Sequence, residues 1–153
     1  MRIRLYDGDR EALRHLFREA DDSDREIDRY MHAGEILVAD EGGEILGQLL
    51  LIPTTEPDDA PEVKSLAVVE SRRGAGIGRA LIEHAARRSR DRGASRLLVS
   101  TAAASTGDLR FYQRVGFRML RVERDVFGPE QGYDGILIDG IPLRDRVWLD
   151  RAL

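Results

Sequence analysis

The chain has 153 residues, of which 42% are hydrophobic and 34% are charged, and its formal net charge is −4. This length and composition suit one folded globular domain, residues 1–153, and exclude a disordered or fibrous chain. There is no cysteine, no apolar run near the ~18 residues of a membrane span and no signal segment, so we expect a cytoplasmic protein without disulfides or a membrane partner.

The first half of the chain predicts a strand, two helices and three further strands, from the spacing of its apolar residues. The predicted bounds are strand 2–6, helices 10–20 and 23–31, and strands 35–40, 44–53 and 63–69. Ser23 and Glu26 have the spacing of a capping box at the start of the second helix. Gly42-Gly43 tolerates the positive φ of a tight hairpin between two of the strands.

The second half predicts strands that alternate with helices. After a glycine-rich turn at 74–78, the predicted elements are a helix ending at Arg92, a strand at 96–101, a helix at 105–115 and strands from Phe117 onward, with a hairpin at Asp139-Gly140. The order β-α-α-β-β-β-α-β-α-β-β predicts an α/β (mixed α+β) fold. We expect one mixed, mostly antiparallel sheet of about seven strands, with helices on both faces and one parallel pair, strands 63–69 and 96–101.

Charge is unevenly distributed along the chain. Residues 1–69 carry a net charge of −9, residues 70–124 carry +8, and the remainder carries −3. A cationic middle between acidic flanks indicates an anionic ligand held centrally. Nucleic acid is not the expected ligand, because the whole protein is negative and the arginines of segment 79–92 are scattered around the predicted helix.

The turn after strand 63–69 contains three glycines in five positions, Gly74, Gly76 and Gly78. Glycine lets the backbone approach a ligand, and the unpaired N–H groups at a helix start favour an anion. A Walker loop is excluded because Gly78 is followed by Arg79-Ala80, and a dinucleotide-binding loop needs a different glycine spacing. The pattern Arg/Gln-x-x-Gly-x-Gly/Ala fits Arg73, Gly76 and Gly78. A tight strand–helix corner that binds nothing is the alternative.

Two blocks of sequence carry a family resemblance. The first is Leu66-Ala67-Val68 followed by Arg73-Gly74-Ala75-Gly76-Ile77-Gly78, and the second is Leu109-Arg110-Phe111-Tyr112-Gln113-Arg114-Val115-Gly116-Phe117. Both are similar to motifs of the GNAT superfamily of acetyl-CoA-dependent N-acetyltransferases, in the order and at the separation found in that family. The predicted order of elements is also that of the family, so the resemblance covers essentially the whole chain.

The resemblance implies that acetyl-CoA is the cosubstrate and that the two parallel strands diverge to admit its pantetheine arm. The implied binding residues are the backbone of Leu66, Ala67 and Val68 for that arm, and Arg73, Gly74, Ala75, Gly76, Ile77, Gly78 and Arg79 for the pyrophosphate. A 3′-phosphate could meet Arg79, Arg110 or Arg114. Ser105 stands where the family often has asparagine, and we expect it to cap the following helix and bind an amide. We expect no metal, since no His, Asp or Glu cluster has ligand spacing.

The resemblance also implies an N-acetyltransferase in which an amine attacks the thioester directly within a ternary complex. Tyr112 holds the position of a general acid, and with an ordinary pKa near ~10 its phenol can protonate the departing thiolate. Packing of the helix is the alternative role. Glu62 is the candidate base, because period-2 alternation puts it on one strand face with Lys64, Leu66 and Val68. A solvated carboxylate at the strand end is the alternative.

Three acidic segments flank the side from which an acceptor approaches in this family, namely 21–24, 56–59 and 130–134. They favour a small cationic amine or the exposed lysine of a peptide as acceptor. Ordinary solvated loops are the alternative. A catalytically idle sensor or interaction module that binds acyl-CoA is the alternative function, and it would have no use for Tyr112. A homodimer through the late strands is a further expectation, with its contact near Leu143–Leu149 and Trp148.

Overall fold

The computed structural model describes residues 1–153 and contains nine strands and four α-helices. The strands are β1 (Arg2–Leu5), β2 (Glu35–Glu41), β3 (Glu44–Ile52), β4 (Glu62–Val68), β5 (Arg96–Ala102), β6 (Arg118–Glu123), β7 (Leu137–Ile138), β8 (Ile141–Pro142) and β9 (Arg146–Ala152). The helices are α1 (Arg14–Ala20), α2 (Asp24–Tyr30), α3 (Ile77–Asp91) and α4 (Thr106–Arg114). Seven strands form one sheet in the order β1-β2-β3-β4-β5-β9-β6, in which only β4 and β5 are parallel. The predicted mixed, mostly antiparallel fold is confirmed.

Apolar side chains form one cluster on each face of this sheet. On one face, Leu81, Ile82 and Ala85 of α3 are fully buried against the sheet, at the spacing that one side of a helix requires. On the other face, Leu16 and Phe17 of α1 pack with residues of α2, β2 and β3. Burial of each large apolar side chain contributes about 1.5–3 kcal/mol. We call these the α3 face and the α1–α2 face.

The N-terminal helices differ in detail from the sequence prediction. Residues 10–13 form a 3-10 turn before α1, so the predicted helix 10–20 is divided. At the start of α2, the Ser23 hydroxyl accepts a hydrogen bond from the Glu26 N–H (3.2 Å), as the capping box requires. The Ser23 N–H donates instead to the carboxylate of Asp21 (3.0 Å), so only half of the predicted box forms.

Strand β4 contains a β-bulge at Lys64. Leu50 of β3 is opposite Ser65, and the next residue, Leu51, is opposite Val63, so Lys64 has no counterpart on β3. A bulge inserts one extra residue into one strand and shifts the alternation of every residue beyond it. The side chains of β4 therefore change faces at Lys64.

The bulge overturns the predicted common face of Glu62, Lys64, Leu66 and Val68. Leu66 and Val68 pack against the cluster on the α3 face, where Val63 also lies. Glu62 precedes Val63 in a regularly paired stretch and therefore projects to the opposite, α1–α2 face. The expectation was wrong because simple alternation holds only while both strands advance by one residue at a time.

The late strands complete the sheet out of chain order. Strand β9 lies between β5 and β6 and is hydrogen-bonded to both. The turn at Asp139-Gly140 (φ 50° and 79°) does form a hairpin, but it joins β7 and β8 in a separate ribbon.

The expected dimer contact near Leu143–Leu149 falls largely on β9, where both strand edges are already paired. Trp148 stacks against the guanidinium of Arg121 (5.0 Å). No helix combines the length and apolar composition that a membrane crossing requires.

Candidate active site

Strands β4 and β5 are paired only over the first two residues of β4 and then diverge. The parallel ladder consists of Glu62 opposite Leu98 and Val63 opposite Val99, whereas β5 stays paired with β9 up to Ala102. The gap between the diverging strands opens into a cleft of about 690 Å³, bordered by the starts of α3 and α4 and by the end of α1. The divergence implied by the family resemblance is therefore present.

Most of the predicted ligand-binding residues line this cleft. They are Leu66, Ala67, Val68, Arg73, Gly74, Gly76, Ile77, Gly78, Arg79 and Ser105, together with Tyr112. Ala75 and Glu62 are not part of the cleft wall. Of the three arginines considered for a 3′-phosphate, Arg79 and Arg114 border the cleft and Arg110 does not.

The open edge of β4 presents backbone hydrogen-bonding groups to the cleft. The Val69 N–H donates to the carbonyl of Leu46 on β3 (2.8 Å). Because consecutive N–H groups of a strand point in opposite directions, those of Leu66 and Val68 point away from β3 and into the gap. The Val68 carbonyl also points into the gap, where it accepts a hydrogen bond from Arg73 Nε (3.1 Å).

The glycine-rich turn directs the start of α3 at the cleft. Gly74 and Gly76 have φ values of 80° and 86°, a left-handed conformation that strains any other residue. The Ala80 N–H makes the first hydrogen bond within α3, to Gly76, which leaves the preceding N–H groups available to an anion. Gly78 allows close packing, since a Cβ there would lie 3.2 Å from the ring of Phe111.

Two arginines beside this turn are free to bind phosphate. Arg79 donates a hydrogen bond to the carbonyl of Arg114 (3.3 Å), and neither side chain has a carboxylate partner within 4.0 Å. Arg73, in contrast, pairs with Glu19 of α1 (2.8 Å). The helix start and the two guanidinium groups without carboxylate partners together make this end of the cleft suitable for phosphate groups.

Tyr112 is held rigidly in the cleft wall with a free hydroxyl. Its ring packs edge-on against Phe111 (5.2 Å between centroids) and Phe117 (5.6 Å), and only 8% of the residue is exposed. The hydroxyl makes no hydrogen bond to the protein and is not sealed in the core, so it can donate to a ligand. Burial, and secondarily the charge of Asp108, raises the pKa of Tyr112, so the phenol keeps its proton at neutral pH.

Glu62 lies at the closed end of the gap, where β4 and β5 are still paired. It is only 6% exposed, and its carboxylate makes no hydrogen bond or ion pair. Burial raises the pKa of Glu62, against the opposing effect of the positive charges of Lys64 and Arg146. Tyr112 lines the cleft, whereas Glu62 does not.

Ser105 occupies the N-cap position of α4 and borders the cleft, but its hydroxyl makes no capping hydrogen bond. The expectation that it caps the helix is therefore wrong. Its φ and ψ of −82° and 69° differ from the extended backbone that usually brings an N-cap side chain over the first turn.

Only one of the three acidic segments provides acidic residues to the cleft. Asp21 and Asp22 border it, and Tyr133 is the one residue of segment 130–134 that does so. Asp58 pairs with Arg96 (2.8 Å) outside the cleft. The expectation for segment 56–59 was wrong because that loop precedes β4, whereas the cleft opens at the opposite end of the strand.

The sequence analysis missed an aromatic cluster on the α1–α2 side of the cleft. The hydroxyls of Tyr30 and Tyr133 donate to the two oxygens of the Asp21 carboxylate (2.9 and 2.6 Å). Phe127 packs edge-on against Tyr133 at 5.1 Å. Residues 21 and 133 are far apart in the chain, and no spacing rule connects them. No group of three or more His, Cys, Asp or Glu side chains is arranged to hold a metal ion.

We compared the sequence and the structure of this chain with those of known proteins. The profile of the Acetyltransferase (GNAT) family matches residues 3–117. The uncharacterised N-acetyltransferase YvbK of Bacillus subtilis (strain 168) is 32% identical over 98% of this chain and 96% of its own length. A Bacillus subtilis acetyltransferase crystallised with CoA is 32% identical with a TM-score of 0.87, covering 99% of this chain and 98% of its own. A GNAT acetyltransferase of Elizabethkingia anophelis with acetyl-CoA bound is 28% identical with a TM-score of 0.89, covering 99% and 97%. This chain therefore belongs to the GNAT acetyltransferase family.

Proposed function

We propose that this protein transfers the acetyl group of acetyl-CoA to a primary amine by direct attack within a ternary complex. The observation that carries the proposal is the free phenol of Tyr112 in the cleft between the diverging strands β4 and β5. A donor fixed at this place can protonate a leaving group without any rearrangement of the protein.

The cleft offers a matching group for each part of coenzyme A. The open edge of β4 at Leu66 and Val68 would pair with the amide groups of the pantetheine arm. The N–H groups at the start of α3 would bind the pyrophosphate, with Arg79 and Arg114 close to the 3′-phosphate. This division agrees with the positive charge of the turn and with the absence of carboxylate partners for these two arginines.

In the chemical step, the departing sulfur must gain a proton and the amine must lose one. The amine nitrogen forms a bond to the thioester carbonyl carbon as the C–S bond breaks, and the departing sulfur takes the proton of the Tyr112 hydroxyl. The products are an amide and the free thiol of CoA. The proton lost by the amine passes to Glu62 through water, because the Glu62 side chain does not line the cleft.

The acceptor enters on the α1–α2 side, between the aromatic cluster and the diverging strands. Asp21 and Asp22 make this rim negative, which supports a small cationic amine or the exposed lysine of a peptide. A non-catalytic acyl-CoA sensor on the same fold is the competing function, and the free phenol distinguishes the two, since a sensor has no use for it.

The Tyr112→Phe variant tests the proposal. We expect kcat for CoA release in the presence of amines to fall about 10²-fold, the usual contribution of a general acid. KM for acetyl-CoA and the melting temperature should change little, because the hydroxyl makes no hydrogen bond to the protein. Tyr6→Phe is the matched control, since the Tyr6 hydroxyl bonds to Asp9 outside the cleft. An unchanged kcat in Tyr112→Phe would refute the acid role, and acetyl-CoA binding without turnover for any amine would establish the sensor.

A further inference from the structure

Two cations border the acceptor side of the cleft and are not needed for coenzyme A. One is Lys64, the only lysine of the chain, which sits in the β4 bulge. Its ammonium lies 5.2 Å from the centroid of the Tyr30 ring and has no carboxylate within 4.0 Å. The bulge turns this side chain towards α2, onto the face opposite to Leu66 and Val68.

The second cation is Arg146 of β9, which also borders the cleft. Its guanidinium stacks over Phe127 (5.2 Å) and Trp148 (5.7 Å), and its nearest carboxylate, Glu123, is 3.9 Å away, beyond hydrogen-bonding distance. Stacking fixes the plane of a guanidinium and leaves the N–H groups along its edge free for a carboxylate. Since the neighbouring Val147 packs on the α3 face, Arg146 projects to the same side as Lys64.

No acidic group makes a hydrogen bond to either cation. The charges of Lys64 and Arg146 both act on Glu62, but the Glu62 carboxylate lies more than 4.0 Å from each of them. Asp21 is held at the hydroxyl end of Tyr30, whereas Lys64 lies over the Tyr30 ring, so the tyrosine side chain separates the two charges. Lys64 and Arg146 therefore both border the side of the cleft where the acceptor must lie, and neither is hydrogen-bonded to a carboxylate.

From this arrangement we infer that the acceptor amine also carries a carboxylate, which Lys64 and Arg146 bind. The inference rests on the proposed function and narrows its acceptor to amino-acid-like amines. The cations hold the carboxylate on the α1–α2 side, while the acidic rim at Asp21 and Asp22 attracts the ammonium form as it arrives. Once deprotonated, the amine faces the thioester between β4 and β5.

The test compares amino acids with their carboxamides, which have the same shape but lack the negative charge. We expect the wild-type protein to acetylate the free acid with the higher kcat/KM. Lys64→Met and Arg146→Met should each lower kcat/KM for the acid roughly 10- to 100-fold, the range expected for a lost charge-assisted hydrogen bond. kcat/KM for the carboxamide should change only by the effect on Glu62 that both substrates share, so the ratio of kcat/KM for acid to carboxamide should fall roughly 10- to 100-fold. KM for acetyl-CoA should stay the same. Arg144→Met is the matched control, since Arg144 is exposed, has no ion pair and does not border the cleft.

A binding measurement covers the case in which a variant does not fold. Calorimetric titration of the wild-type protein with CoA present should show tighter binding of an N-acetyl amino acid than of its carboxamide. Equal use of acid and carboxamide, or equal binding of the two products, would overturn the inference and leave the acetyltransferase proposal intact. Failure of every amine to release CoA from bound acetyl-CoA would overturn the proposed function itself.

Discussion

Glu62 is buried on the same face of the sheet as Lys64 and Arg146, and burial raises the pKa of its carboxyl. A carboxyl with a raised pKa keeps its proton to a higher pH, so a base of this kind loses activity as the pH falls through that pKa. We expect Glu62→Gln to lower kcat/KM for the amine at neutral pH and to flatten this acidic limb. The test is to measure kcat/KM for the amine as a function of pH in the wild type and the variant. The same loss of activity at acidic pH in both proteins would exclude Glu62 as the base.

At the scale of single residues, the sequence allowed prediction of those cleft residues that belong to a short, contiguous motif. The glycine turn and Tyr112 are recognisable because the residues that define each motif are close neighbours in the chain. Tyr30 and Tyr133 could not be predicted, since their shared partner Asp21 brings together segments more than one hundred residues apart. The sequence predicted that Glu62 shares a strand face with Leu66 and Val68, and the strand pairing that puts it on the opposite face is not visible in the sequence.

At the scale of elements, the bulge in β4 is the main difference from expectation. The sequence Glu-Val-Lys-Ser-Leu-Ala-Val is compatible with simple alternation, and only the pairing of β3 with β4 reveals that Lys64 is an extra residue. The bulge separates two functions of one strand. In our proposals, Leu66 and Val68 bind the cofactor and Lys64 binds the acceptor.

Ion pairs between β2 and the last turns of α3 fix the position of this helix. Glu35 accepts hydrogen bonds from Arg92 and from Arg88 Nη2 (2.6 Å), which lower the pKa of Glu35 from 4.5 to about 2. A lowered pKa contributes stability above the unfolded-state pKa, and this stability is lost as the pH falls from 4.5 towards 2.

We therefore expect Glu35→Gln to reduce the free energy of unfolding by about 1–2 kcal/mol at neutral pH, a value discounted because Arg92 is half exposed. The difference from wild type should shrink as the pH approaches 2. Urea unfolding at several pH values measures it. Glu44→Gln is the control, since Glu44 is exposed and unpaired. Equal effects of the two substitutions at neutral pH would mean that the Glu35 ion pairs contribute nothing.

At the scale of the whole molecule, the net charge of +8 in segment 70–124 has two origins. Some of its arginines border the cleft, namely Arg72, Arg73, Arg79 and Arg114. Others are used in structural ion pairs, as when Arg88 and Arg92 bind Glu35 and Arg96 binds Asp58. The charge pattern correctly indicated an anion site, but its size overstated the charge available to a ligand.

The insertion of β9 between β5 and β6 makes residues 146–152 central to stability. Ending the chain after Asp145 removes the buried Val147 and Leu149 and leaves two strands without their shared partner. We expect such a protein to show no cooperative thermal transition by circular dichroism. Removal of residues 1–5 deletes an edge strand paired on one side only, and it should lower the melting temperature yet preserve cooperativity. A cooperative transition in the protein that ends at Asp145 would contradict this view.

The same placement of β9 has a consequence for synthesis on the ribosome. β5 and β6 emerge well before the residues that belong between them, so the sheet cannot be completed progressively from its N-terminal side. Until residues 146–152 appear, the edges of β5 and β6 that pair with β9 have no hydrogen-bonding partner and are exposed to chaperones and to other nascent chains. Arg146 arrives with that strand, so the acceptor side of the cleft forms only as synthesis of the sheet is completed.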